Sequence, residues 1–286
     1  MRFLKEGQHF RFGNGVRFYR FLVDLEENFD DRKGEIISKL NKMRKTIFAK
    51  DRLIISSTGK TEVLNQARRL VNDIRPLLSQ EKLSFEGDNE FEVHPVKEAL
   101  KDASQIQYVA MAGDFVKSGY KYNGSYKLLN TILGYDYFWI KVRVQGGAYG
   151  CNMNSSRQGD MVFVSYRDPN LAETLKVFEE TGEYLRNFDA DDRDMTKYII
   201  GTISGMDTPL TPSQRGLRGL NCYISGISYE DLQRTRDEVL DATVEDIRAL
   251  AEPVDAAMSQ RYICVVGNES VVEANAELFT VVENLY

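Results

Sequence analysis

Apolar residues recur at helical spacing over the first fifty positions, and strand-like and helix-like runs alternate after that. From about Val16 to Asn28, Phe18, Phe21, Leu22 and Leu25 share one side. From about Asp30 to Phe48, Ile36, Leu40, Met43 and Ile47 fall four, three and four apart. Both patterns predict amphipathic helices. Gly13-Asn14-Gly15 leaves open a hairpin turn between Phe10/Phe12 and Val16/Phe18 instead. Two such helices with no sheet to rest on need a partner surface, so an upstream segment is expected.

The pattern changes at Arg52. Leu53-Ile54-Ile55-Ser56-Ser57 predicts a strand, and Gly59 turns the chain into a helix bearing Val63, Ala67, Leu70 and Ile74. Pro76 ends or kinks that helix. Ile106 to Ala112 predicts a second strand, with Ile106, Tyr108, Ala110 and Ala112 on one face and Val109 and Met111 on the other. A long helix is expected from Gly124 to about Arg143, striped by Leu128, Ile132, Tyr135, Trp139 and Val142. Tyr149–Ser155 and Met161–Tyr166 predict an antiparallel pair.

Asp168-Pro169 reads as an N-cap and first helical position, opening a helix with Leu171, Leu175, Phe178 and Leu185 inward. Further helices are expected from about Asp191 to Met206 and between Pro212 and Ser259. A strand over Tyr262–Val266 and a short terminal helix finish the chain. Long helices between strands, some of them adjacent, predict an α+β fold. Its sheet is mixed and largely antiparallel, with helices on one face and a helical segment in front. Residues 1–48 are expected to end a preceding domain and residues 49–286 to form the main one.

Composition narrows the partners. A formal net charge of −6 argues against nucleic acid, which needs clustered cations. No window approaches the roughly 18 apolar residues of a membrane span, and the N-terminus has no apolar segment of the signal-peptide type. Cys151, Cys222 and Cys264 are odd in number and far apart among apolar or small neighbours, which predicts buried free thiols in a reducing compartment. The cytoplasm is the expected location, with an organelle the alternative if a targeting segment precedes Met1.

Several chemistries find no motif. His9 and His94 are the only histidines, and neither sits in His-Glu-x-x-His or His-x-x-Glu-His. A catalytic zinc site needs three convergent ligands. No phosphate loop of the Gly-x-x-x-x-Gly-Lys type and no Gly-x-Ser-x-Gly elbow occurs either. Metal, serine or cysteine catalysis confined to this chain is therefore not expected.

The informative run is Tyr137 to Gly150, where a helix ends at Arg143, Gly146-Gly147 turns the chain and Tyr149 begins a strand. The residues alone support a structural reading. Glycine ends helices in the left-handed conformation, arginine complements the helix dipole, and tyrosine packs. The run Val142-Arg143-Val144-Gln145-Gly146-Gly147-Ala148-Tyr149-Gly150 also resembles the C-terminal half of insulinase-like (pitrilysin-type) zinc peptidases, in the presequence-protease branch. The resemblance extends through Gly119–Gly124, Asp136–Trp139, Ser165–Asn170, Asp207–Pro212 and Gly219–Gly226, and so covers nearly the whole chain.

The resemblance implies a split active site. Zinc and its ligands would lie in an N-terminal half of the same polypeptide, with no cofactor in this chain. Arg143 and Tyr149 would reach that site across a closed chamber in which unfolded peptides are degraded. Gly146, Gly147 and Ala148 would let substrate backbone approach. A phenol can donate a hydrogen bond to a developing oxyanion, and a guanidinium can grip a carbonyl or carboxylate with two bonds. The rival expectation is a non-catalytic homologue, acting as a scaffold or as a peptide-binding module.

Overall fold

A computed structural model describes residues 15–80 and 96–285. The described residues fall into two compact units, 96–208 with 229–285, and 15–80 with 209–228. No described helix is long and apolar enough to cross a membrane.

In the smaller unit, α1 (Gly15–Glu27) and α2 (Phe29–Ile47) follow the predicted pattern closely. Phe21, Leu22, Leu40, Met43 and Ile47 on these helices are exposed. Helix α3 (Thr61–Ile74) runs into a 3₁₀ turn over Arg75–Leu77, where Pro76 sits at the start of the turn. The strand expected over Leu53–Ser57 does not form. Those residues are exposed and irregular, because a β-branched run becomes a strand only where a partner edge supplies its hydrogen bonds.

The larger unit is built on strands β1 (Glu98–Asp102), β2 (Gln107–Asp114), β3 (Gly150–Ser155), β4 (Asp160–Asp168), β5 (Tyr262–Asn268) and β6 (Val281–Asn284). They form one sheet in the order β3-β4-β2-β5-β1-β6. The β3–β4, β4–β2 and β2–β5 pairs are antiparallel, whereas β1 pairs parallel with β5 and β6. The predicted mixed, largely antiparallel sheet is observed. Strands β1 and β6 were not foreseen, since Glu-Ala-Leu-Lys-Asp carries no apolar alternation.

The helices of this unit are α4 (Ser125–Ile132), α5 (Ala172–Glu179), α6 (Thr181–Arg186) and α7 (Asp192–Met206). In chain order α8 (Pro212–Ser225) then belongs to the smaller unit. After it come α9 (Tyr229–Leu240), α10 (Val244–Ala249), α11 (Ala251–Met258) and α12 (Glu269–Ala274). One sheet face is buried through Val109, Met111, Met153, Met161, Phe163, Ile263 and Val265. Gly113 lies so close to α11 that a Cβ there would overlap the carbonyl oxygen of Ala257. Burying these side chains contributes roughly 1.5–3 kcal/mol each.

Helix α4 continues past Ile132 as π-helix over Leu133–Tyr137 and Trp139–Gln145. The wider winding follows i→i+5 hydrogen bonds. Its buried residues accordingly fall five apart, as Leu128, Leu133 and Phe138 and as Ile132, Tyr137 and Val142. The expected stripe assumed a period of 3.6 and so placed Tyr135 and Trp139 inside. They are 72% and 43% exposed. Phe138 fixes this helix to the sheet, meeting Phe163 at 5.2 Å and Phe178 at 5.5 Å in edge-on contacts.

The Asp168 N-cap also requires correction. Helix α5 begins four residues later, and Asp168 ends β4 with its carboxylate fully buried. That carboxylate accepts from the backbone N–H of Asn170 at 2.9 Å and the Thr174 hydroxyl at 2.7 Å. The local bonding of a cap survives, but strand pairing claims the residue first. Among the described residues none of the three cysteines forms a disulfide, and each is half-buried rather than buried.

Candidate functional site

The end of the π-wound helix sets the geometry around Arg143. Gly147 adopts a left-handed conformation with φ +81°, which glycine reaches without a Cβ penalty. Its N–H donates to the Arg143 carbonyl at 3.0 Å, and the Ala148 N–H donates to the Val142 carbonyl at 3.1 Å. Gly146 retains helical angles and its carbonyl accepts from the Asn170 side chain at 2.6 Å. The turn is thus held from below by the corner that follows β4.

Ala148 is only 3% exposed and belongs to the core. One residue later the chain re-emerges, leaving Tyr149 65% exposed. The Tyr149 N–H is shared between the carbonyls of Tyr166 at 3.1 Å and Arg167 at 3.2 Å, which begins the β3–β4 pairing. Arg143 and Tyr149 therefore leave opposite arms of one turn and meet above it. The Arg143 guanidinium carbon is 5.9 Å from the Tyr149 ring centre and 4.0 Å from that of Trp139. Arg143 is half-buried and Gly147 exposed.

Three neighbours of this pair were not singled out from the sequence. Trp139 lies four residues before Arg143, a helical spacing that could have linked them. Tyr166 meets Tyr149 at 5.8 Å and Tyr108 at 5.3 Å, both edge-on. Arg167 lies over the Tyr166 ring at 5.6 Å. No local signal joins Tyr149 to Tyr166, because strand register alone brings them together.

Cys151, two residues into this corner, is not a nucleophile in waiting. Burial pushes its thiol well above the usual range, and the negative charge of Asp168 adds to the shift. A thiol held protonated is a poor nucleophile. Among the described residues no three His, Cys, Asp or Glu side chains converge as a metal site would require. His9 and His94 lie outside the described residues.

Residues 97–269 match the family profile described as the PreP C-terminal domain. The chain belongs to that family. Protein HypA of Clostridium perfringens is 40% identical over 95% of this chain, which corresponds to 28% of that relative. Presequence protease 1, chloroplastic/mitochondrial, of Arabidopsis thaliana is 30% identical over 92% of this chain and 24% of its own length. The chain thus spans about a quarter of the length of these curated relatives. Among solved structures, pitrilysin aligns with a TM-score of 0.51 at 13% identity, covering 79% of this chain and 25% of that one. At that identity the likeness bears on the fold, and it agrees with the mixed sheet described above. The resemblance to the presequence-protease branch read from the sequence is borne out: the chain is similar to the C-terminal part of these proteins.

Proposed function

We propose that this PreP C-terminal domain is the substrate-holding part of a zinc-dependent oligopeptidase whose metal ligands lie in an N-terminal half of the same polypeptide. The observation that carries the reading is the meeting of Arg143 and Tyr149 over the Gly146–Gly147–Ala148 turn. Within that polypeptide we assign residues 1–48 to the end of a preceding domain and 49–286 to the C-terminal domain. Unfolded peptides enclosed in a chamber are the substrate class, and zinc bound in the other half would supply the Lewis acidity for hydrolysis.

The residues of this chain then have distinct tasks. The Tyr149 hydroxyl donates to the scissile carbonyl oxygen as negative charge grows there, a contribution worth about 10²–10³ in rate. Arg143 presents its fork of N–H donors to a substrate carbonyl or carboxylate, and the Trp139 ring limits where that fork can go. Gly147, exposed and without a Cβ, leaves room for the substrate backbone. Reduced thiols, with no disulfide among the described residues, suit a reducing compartment, the cytoplasm or an organelle interior.

The test is cleavage of a quenched fluorescent peptide by the full-length polypeptide, with and without chelator. Chelator-sensitive cleavage that falls sharply in Arg143→Ala and Tyr149→Phe is expected. A folded full-length protein that cleaves nothing, or cleaves equally well in both variants, would refute the reading.

A further inference from the structure

The backbone beside this site contains an irregularity in the β2–β4 pairing. In the β2–β4 ladder Gln107 pairs with Asp168 and Val109 with Ser165, so Tyr166 and Arg167 together face Tyr108 alone. That is a β-bulge, and Arg167 occupies it with φ +49°, a conformation in which glycine is comfortable and arginine strained. The side chain on this strained backbone is exposed, and its guanidinium lies over the Tyr166 ring. Neither Arg167 nor Arg143 forms an ion pair among the described residues. The nearest carboxylate in sequence, Asp168, is buried and engaged by Asn170 and Thr174.

Two unpaired guanidiniums thus flank one pair of tyrosine rings in a chain of net charge −6. A guanidinium resting against an aromatic ring is oriented without using its N–H donors. Those donors remain free for a planar, bidentate partner, and a carboxylate is the best match. Bulges beside active sites commonly re-aim a side chain. We propose that Arg167 is a specificity-determining residue that, with Arg143, holds a peptide carboxylate against the Tyr149–Tyr166 pair. The carboxylate is either the C-terminus of the peptide or an acidic side chain. The assignment rests on the peptide-processing reading above.

The experiment is fluorescence anisotropy on the full-length protein with chelator present, so that bound peptide is not consumed. Three labelled peptides are compared: a free acid, its C-terminal amide, and that amide with one internal residue replaced by glutamate. Because the guanidinium is exposed, a carboxylate should tighten binding by about two- to fivefold, and more so at low salt. The carboxylate-bearing peptide that shows the gain identifies the source. Arg167→Gly should remove the preference while melting no lower than wild type, since it relieves the left-handed strain. Arg167→Lys should keep part of the preference.

An unchanged preference in Arg167→Gly, no preference in wild type, or no binding of any peptide would each overturn the assignment. Charge preference lost with Arg167→Gly in a protein that fails to cleave peptides would support Arg167 and remove only the peptidase reading. Cleavage without charge preference would do the reverse.

Discussion

The guanidinium carbon of Arg143 lies 4.0 Å from the centre of the Trp139 indole, one turn back along the same π-wound helix. An exposed contact of this kind contributes about 0.5–1 kcal/mol. Its value here is orientation, since a long side chain otherwise samples many rotamers. Trp139 is the only tryptophan in the chain, so its emission reports on the contact directly. Arg143→Ala is expected to change the intensity or position of that emission while leaving far-UV circular dichroism unchanged. Identical spectra would mean that the two side chains are not stacked in solution.

For Tyr149 the expectation concerns the rate rather than affinity. In the full-length polypeptide, Tyr149→Phe should lower kcat by about 10²–10³ with KM changed little, because an oxyanion donor acts chiefly in the transition state. Steady-state kinetics on one peptide are enough to check it. A normal kcat would remove Tyr149 from the chemistry.

Gly113 tests the packing that supports the site. Its Cα approaches the main chain of Ala257, which cannot move aside as a flexible side chain would. Gly113→Ala is expected to destabilise the protein by about 3 kcal/mol, the upper end of the cost of overpacking. Urea unfolding should show a lower midpoint, and an unchanged midpoint would contradict the observed contact between β2 and α11.

Alkaline pH should weaken the fold in stages. Burial raises the Cys151 thiol and the Tyr126 and Tyr137 phenols, and burial with the charge of Asp136 pushes Tyr184 up to about 12. Each group is neutral when protonated and holds its proton more tightly folded than unfolded. The folded state therefore binds more protons once pH passes the unfolded values, about 8.5 for the thiol and about 10 for the phenols. The stability they contribute is complete below those values and is lost as pH rises towards the folded ones. Urea midpoints should hold from pH 7 to 8, fall modestly by pH 9.5 and fall faster above pH 10. Cys151→Ala should remove the first stage, and a flat profile to pH 11 would refute the scheme.

The sequence alone determined the elements that local chemistry controls. Helices α1, α2 and α3 follow from apolar spacing, and α7 starts where the helix expected from about Asp191 was placed. The Asp191 carboxylate accepts from the Asp194 N–H, as a capping residue should. The β3–β4 pair was legible because its strands are adjacent and alternate. Arg143 and Tyr149 were singled out by the family resemblance of the run that joins them, whereas its helix, double glycine and strand by themselves supported only a structural reading.

Only the tertiary structure decided what depends on distant partners. Glu98–Asp102 becomes a strand because β5 and β6 offer it two parallel edges, whereas the more strand-like Leu53–Ser57 finds none among the described residues. The π-winding that exposes Trp139 follows from seating Phe138 and Val142 in the core, a demand that a 3.6-residue period cannot express. Tyr166 and Arg167 join the site through ladder register and a bulge, and both are properties of two strands together. Hydrogen bonds between strands are non-local, so no single segment of sequence specifies them.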